Sequence, residues 1–236
     1  MLFLSQPTFF PWIGYYDLID QSDIFVILDD VKFEKQSWHH RNNFKSQKGL
    51  ELFTLPILSG KSKLIKDMEI FNPERVQKKF KHFLITNYSK AKFFENYFPI
   101  FIERFNKDSN SKKLLILNSG LINLSLSILQ IKKKILFSSS LKVDKVKSER
   151  IIDICKKCNE ENYLSGLGAK EYLLKDQKKF TDNQIEVFLH NYSHPQYNQL
   201  YGKFNSYASI LDLIMNEGDN SINIIRSGRK KNKKLF

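Results

Sequence analysis

A strand-length apolar run, a proline-locked loop, a helical stretch and a second apolar run follow one another within the first thirty residues, and that order leaves few folds open. Leu2, Phe3 and Leu4 suffice for a short strand, residues 12–19 carry aromatic and aliphatic side chains at helical spacing, and residues 24–28 are unbroken apolar sequence. Strand, loop, helix and strand are the parts of a right-handed parallel crossover. Both strands then end on the same sheet edge, which brings Gln6 and Pro7 near Asp29 and Asp30. Ligands of open α/β sheets bind outside such carboxyl ends.

Further along, residues 51–58 and 65–70 read as strands of a hairpin turning at Ser59, Gly60, Lys61 and Ser62. Pro73 suits a helix start, and helices are expected at residues 73–88, 95–105 and 112–131, a helical insertion at about 73–131. Residues 135–138, 163–165 and 185–189 are strand candidates, and a last helix over residues 204–215 ends at Gly218. The expectation is an α/β domain over residues 1–225, with a parallel or mixed sheet, followed by a basic, disordered tail at residues 226–236.

Hydrophobic residues make up 42% of the 236, enough to bury a substantial core. Residues 1–11 lack a charged leader segment and meet Pro7 and Pro11 early, so the cytoplasm is the expected compartment. No transmembrane segment is expected either, since even residues 13–28 are interrupted by Asp17, Asp20, Gln21 and Asp23. The net charge of +13 resembles a nucleic-acid signal until it is located: six of the positive charges lie at Arg226, Arg229, Lys230, Lys231, Lys233 and Lys234. Contact with nucleic acid or anionic lipid is therefore expected only through the tail. Cys155 and Cys158 fall late in an amphipathic stretch and read as core rather than as a redox pair, which needs a helix N-terminus.

Several groups carry chemistry. Gln6 ends an apolar strand, where a polar amide needs a specific partner. Pro7, Pro11 and Gly14 stiffen a loop holding Phe9, Phe10, Trp12 and Tyr15, which serve either as core or as a ligand wall. Asp29 and Asp30 follow a fully apolar strand and serve either as a turn or as proton acceptors. Trp38, Arg41 and Asn42 lie in a segment read as a loop, with an indole to stack and a guanidinium to grip phosphate. Ser165 and Gly166 sit between strand and helix, where backbone N–H groups can face an anion. His190 and His194 imitate a zinc pair, but Pro195 breaks the helix such a pair needs, so no metal is assigned. His194 is taken as a candidate base, with Tyr197 and Gln199 beside it.

With these residues in view, the chain resembles the WbqC-like protein family of bacteria. The resemblance rests on Gln6-Pro7 with Phe10-Pro11-Trp12 and Gly14-Tyr15, on Ser22-Asp23 with Phe25-Val26 and Asp29-Asp30-Val31, and on Trp38 with Arg41-Asn42. Residues 163–166, His194-Pro195 with Tyr197 and Gln199, and Ser209 with Asp212 complete it. Lys32 and His40 stand where the family usually carries Gln and Asn, so neither takes a role from the resemblance. It implies an enzyme of O-antigen or capsule biosynthesis that transfers an acyl or aminoacyl group from an activated donor to a nucleotide-linked amino sugar. Asp29, Asp30 and His194 are then the catalytic candidates. Gln6, Trp12, Tyr15, Trp38, Arg41, Asn42, Ser165, Gly166, Tyr197 and Gln199 are the substrate-binding ones, and no cofactor is assigned. Two alternatives stand: a non-catalytic assembly factor of a glycan pathway, and a nucleotidylyltransferase-like enzyme suggested by analogy with residues 10–15.

Overall fold

The computed structural model describes residues 1–58 and 63–236, so the turn expected at residues 59–62 lies outside the described residues. The opening crossover forms as expected: β1 (Leu2–Ser5), α1 (Ile13–Gln21) and β2 (Ile24–Ile27), with β1 and β2 parallel and Leu2 opposite Ile24. Alternation along the two strands sorts their side chains into two cores. Phe3, Phe25 and Ile27 face α1 through Ile13, Tyr16 and Ile19, while Leu2, Leu4, Ile24 and Val26 face the opposite side. Burial on both faces explains why these strands are continuous apolar runs.

Residues 41–43 depart from expectation. Arg41–Ser46 is strand β3, not loop, and it pairs antiparallel with β4 (Gly49–Thr54), Arg41 opposite Thr54. The second half of the expected hairpin opens as a 3₁₀ turn, Ile65–Asp67, and meets the first through a bridge between Ile57 and Ile70. The expected helical middle is present as α2 (Pro73–Tyr88), α3 (Phe94–Ser109) and α4 (Leu114–Ile128). Asn72 caps α2 by accepting from the Arg75 N–H at 3.2 Å, ahead of Pro73 at the first helical position. Phe80 and Phe105 stack at 4.4 Å in the aromatic core that Phe9, Phe10, Phe44 and Phe53 also join. Each such buried ring contributes roughly 1.5–3 kcal/mol.

The chain then returns to the sheet through β5 (Lys134–Phe137) and crosses by α5 (Lys147–Lys157) to β6 (Asn162–Ser165). Ile151, Ile152, Ile154 and Cys155 of α5 cover the second face of the sheet. Cys158 caps α5, and burial pushes the Cys155 thiol up to about 12. Helices α6 (Lys170–Lys175) and α7 (Gln177–Asp182) lead to β7 (Glu186–Leu189). The helix expected from residue 204 begins later, as α8 (Ile210–Glu217), because Ser209 caps it and Tyr207 holds a positive φ of 65° that no helix admits. After α9 (Ser221–Ser227) the chain ends in β8 (Lys233–Lys234), antiparallel to β7.

The six-stranded sheet has the order β5-β2-β1-β6-β7-β8, parallel except for β8. Residues 226–236 are therefore not a free tail. Arg226 pairs with Asp20, Arg229 with Asp17 and Asp20, and the Leu235 N–H donates to the Val187 carbonyl at 2.8 Å. The composition suggested disorder, but acidic residues on α1 and the open edge of β7 supply partners for these cations and their backbone. No helix among the described residues is long and apolar enough to cross a membrane.

Candidate functional site

β1 is flanked by β2 on one side and β6 on the other, and the helices that follow β1 and β5 cover opposite faces of the sheet. At such a reversal the connections diverge and leave a crevice at the carboxyl ends of the strands. The crevice here is a cleft of about 740 Å³ whose floor carries Gln6, Ser165, Gly166 and His190 at the ends of β1, β6 and β7. Trp12, Tyr15, Tyr172, Tyr192 and Tyr207 form its walls. A second hollow of about 330 Å³, lined by Trp38 and Asn42, shares Trp12, Tyr15 and Tyr207 with it.

Gln6 has the partner its position demanded. His39, almost fully buried, donates from Nε2 to the Gln6 Oε1 at 2.8 Å, and burial holds the imidazole pKa down at about 4. A neutral His39 fixes the amide carbonyl and leaves the Gln6 NH₂ as the end available to a ligand. Asn118 of α4 secures both strands of this support, donating to the carbonyls of Pro7 at 3.0 Å and His39 at 2.7 Å.

The strongest chemical group was not among the sequence candidates for catalysis. His190 follows β7, and its Nε2 donates to Oδ2 of Asp17 at 2.7 Å. Asp17 is fully buried on α1, and it also receives Gln21 Nε2 at 2.6 Å and Arg229 Nε at 2.9 Å. Asp17 thereby fixes the ring orientation and tautomer, leaving Nδ1 of His190 without a partner among the described residues. The ring is backed by Tyr192, stacked at 5.3 Å and 16°. The sequence did hold a signal: Asp17 interrupts the apolar face of α1 between Tyr16 and Leu18.

The walls are shaped by close contacts. The Trp12 indole lies across Gly14, where a Cβ would come within 2.1 Å of it, so only glycine fits. Trp12 stacks on His194 at 5.9 Å and packs against Tyr207 at 5.1 Å. His194 itself has no nitrogen to spare. Nδ1 donates to the Pro195 carbonyl at 2.9 Å and Nε2 accepts the Tyr207 N–H at 3.1 Å. Burial lowers its pKa, and the ring braces the loop against Trp12. Burial also pushes the Tyr15 and Tyr192 phenols well up, so the walls are neutral at physiological pH.

Other sequence candidates lie outside the cleft. Asp29 is buried, accepting from Ser139 N–H at 2.9 Å, Ser139 Oγ at 2.6 Å and Ser138 Oγ at 3.1 Å. Asp30 pairs with Arg150 of α5 and also accepts from Ser138. These bonds fasten β2 to the end of β5, and neither carboxylate lines the cleft or the hollow beside it. Arg41 is turned onto the Gln36 carbonyl and lines neither hollow, so it offers no phosphate grip there. Asn42 donates to the carbonyls of Phe9 at 2.9 Å and Phe10 at 2.7 Å, holding Phe10 at its positive φ of 44°. Tyr197 and Gln199 both reach Oδ2 of the buried Asp212 at 2.8 Å, anchoring the loop that carries Tyr207. Phe9 and Phe10 are fully buried and Trp12 covers Gly14 at the start of α1, so residues 10–15 present no open phosphate site of nucleotidylyltransferase type.

Among the described residues no group of three or more His, Cys, Asp or Glu side chains could hold a metal ion. The cleft can orient a ring between aromatic faces, donate a hydrogen bond from Gln6 and accept a proton at His190. A protein of Mycobacterium tuberculosis, itself uncharacterized, is 31% identical over 234 residues, covering 96% of this chain and 98% of its own. No solved structure matches. The profile of the WbqC-like protein family matches residues 6–224, which include the cleft floor, both of its aromatic walls and the Asp17–His190 pair, and the chain belongs to that family.

Proposed function

We propose that the protein is a cytoplasmic enzyme of bacterial surface-glycan biosynthesis, of the O-antigen or capsule kind, that transfers an acyl or aminoacyl group to the amine of a nucleotide-linked amino sugar. The observation that carries this reading is the histidine held by a buried carboxylate in an aromatic-walled cleft at the sheet's reversal point. Aromatic faces suit the apolar faces of a sugar ring, and the Gln6 amide suits one of its oxygens. In the reaction the sugar amine forms a bond to the acyl carbon while the bond from that carbon to the leaving group of the activated donor breaks. The proton leaving nitrogen passes to Nδ1 of His190, which returns it to the departing group. Asp17 is the positioning residue that keeps Nδ1 free for the task.

Incubating the full chain with nucleotide-linked amino sugars and acyl or aminoacyl thioesters, followed by mass analysis, tests the reading. The expected result is an acylated sugar nucleotide that His190→Asn fails to make. Asp17→Asn is expected to lower kcat while leaving KM unchanged. Tight sugar-nucleotide binding without product from any donor supports an assembly factor instead, and absence of any thermal shift with nucleotide sugars sinks the substrate class.

A further inference from the structure

The cleft that receives the sugar has no lysine or arginine among the described residues of its lining. A nucleotide-linked sugar carries two phosphate charges, which need cations or backbone donors to replace water. Unpaired cations gather instead on the far side of one short segment. Trp38 borders the aromatic hollow, whereas His40, two residues on, borders a separate groove of about 770 Å³. Phe33 packs between the two directions, its ring 5.5 Å from His39 and 5.3 Å from His40. Residues 38–40 therefore run between the groove and the aromatic hollow, which shares Trp12, Tyr15 and Tyr207 with the cleft.

The groove has an apolar floor of Phe33, Leu55, Ile57 and Met68 and an edge formed by Lys32, Lys35 and Lys63. None of these lysines forms an ion pair with a described residue, and Glu34 is the acidic side chain on the lining. His40 is buried, and its Nδ1 has no hydrogen-bond partner among the described residues. An apolar floor, an unsatisfied imidazole and an uncompensated basic edge complement a flat apolar body bearing phosphate. We propose that this groove binds the phosphate-bearing carrier half of the substrate, its base over the apolar floor and its phosphates at Lys32, Lys35 and Lys63, while the sugar crosses the Trp38 edge into the cleft. The inference rests on the function proposed above and adds where the carrier is held.

The test uses the full chain and its Lys32→Glu/Lys63→Glu variant, whose exposed side chains make no ion pairs with the described residues. Calorimetric titration with inorganic pyrophosphate, which carries the charge without the base, and with a panel of nucleoside diphosphates is expected to show saturable binding to the native chain that weakens with salt. The variant should bind both at least tenfold more weakly, with thermal stability and glucosamine binding unchanged. Equal binding of every diphosphate by both proteins, or none by the native chain, overturns the groove assignment. A native chain that binds sugar nucleotides as tightly as its charge-reversed variant loses the groove but keeps the proposed function, whereas one that binds no sugar nucleotide loses the function itself.

Discussion

The carboxyl edge of the sheet has two halves built from the same materials and put to different ends. At β5 and β2, Asp29 and Asp30 are met by Ser138, Ser139 and Arg150, so each carboxylate is held by a neighbour. At β1, β6 and β7, Gln6 and His190 are each fastened at one end and left open at the other. The difference follows from topology. α5 and the turn at Ser138–Leu141 lie across the first half, while at the reversal between β1 and β6 the connections diverge and nothing fills the gap. Polar residues at strand ends become fasteners where an element crosses them and tools where none does.

The sharpest way to break this contrast is to exchange the expected losses. His190→Asn should reduce turnover by about 10³-fold with little change in Tm. Asp30→Ala should leave turnover nearly intact while costing about 3–5 kcal/mol of stability in urea unfolding, because Arg150 stays largely buried with no partner. Loss of turnover in the second variant at full stability would place the chemistry on the closed half instead.

The supports behind the open half titrate in opposite directions. Burial raises Asp212 to about 6, so the folded state holds its proton more firmly and stability falls as pH rises from about 4 to about 6. Burial lowers His39 to about 4, so its contribution is full above about 6.5 and is lost as pH falls toward 4. Each effect is about 3 kcal/mol, and the two oppose each other in this window. Asp212→Asn should unmask a rise in Tm between pH 4 and 6.5, and His39→Gln a fall; parallel profiles for all three proteins would contradict the assignment.

Smaller effects refine the walls. Gly14→Ala should displace the Trp12 indole, visible as a shift in tryptophan fluorescence, at about 1–3 kcal/mol. At the bottom of the scale, Arg226→Ala removes a half-exposed ion pair and should cost under about 1 kcal/mol, with turnover unchanged.

Where local pattern decided structure, the sequence was legible. The strands of the opening crossover are apolar because both faces are buried, and Pro73 begins its helix at the expected residue. β3 was read as a loop because its sequence, Arg-Asn-Asn-Phe-Lys-Ser, has one apolar side chain; its buried Asn42 and Lys45 are satisfied by partners far along the chain, such as Phe9 and Asn205. The site was half legible for the same reason. Gln6, Trp12, Tyr15, Ser165 and Gly166 reach the cleft because they sit on elements that can be placed from periodicity. The choice between His190 and His194 turned on Asp17, 173 residues from His190, and no spacing rule reaches that far.

The ion pair between Arg229 and Asp17 joins residues 212 apart in sequence. The orientation of His190 and the docking of residues 226–236 along α1 and β7 thus share one carboxylate, so loosening that segment loosens the histidine as well.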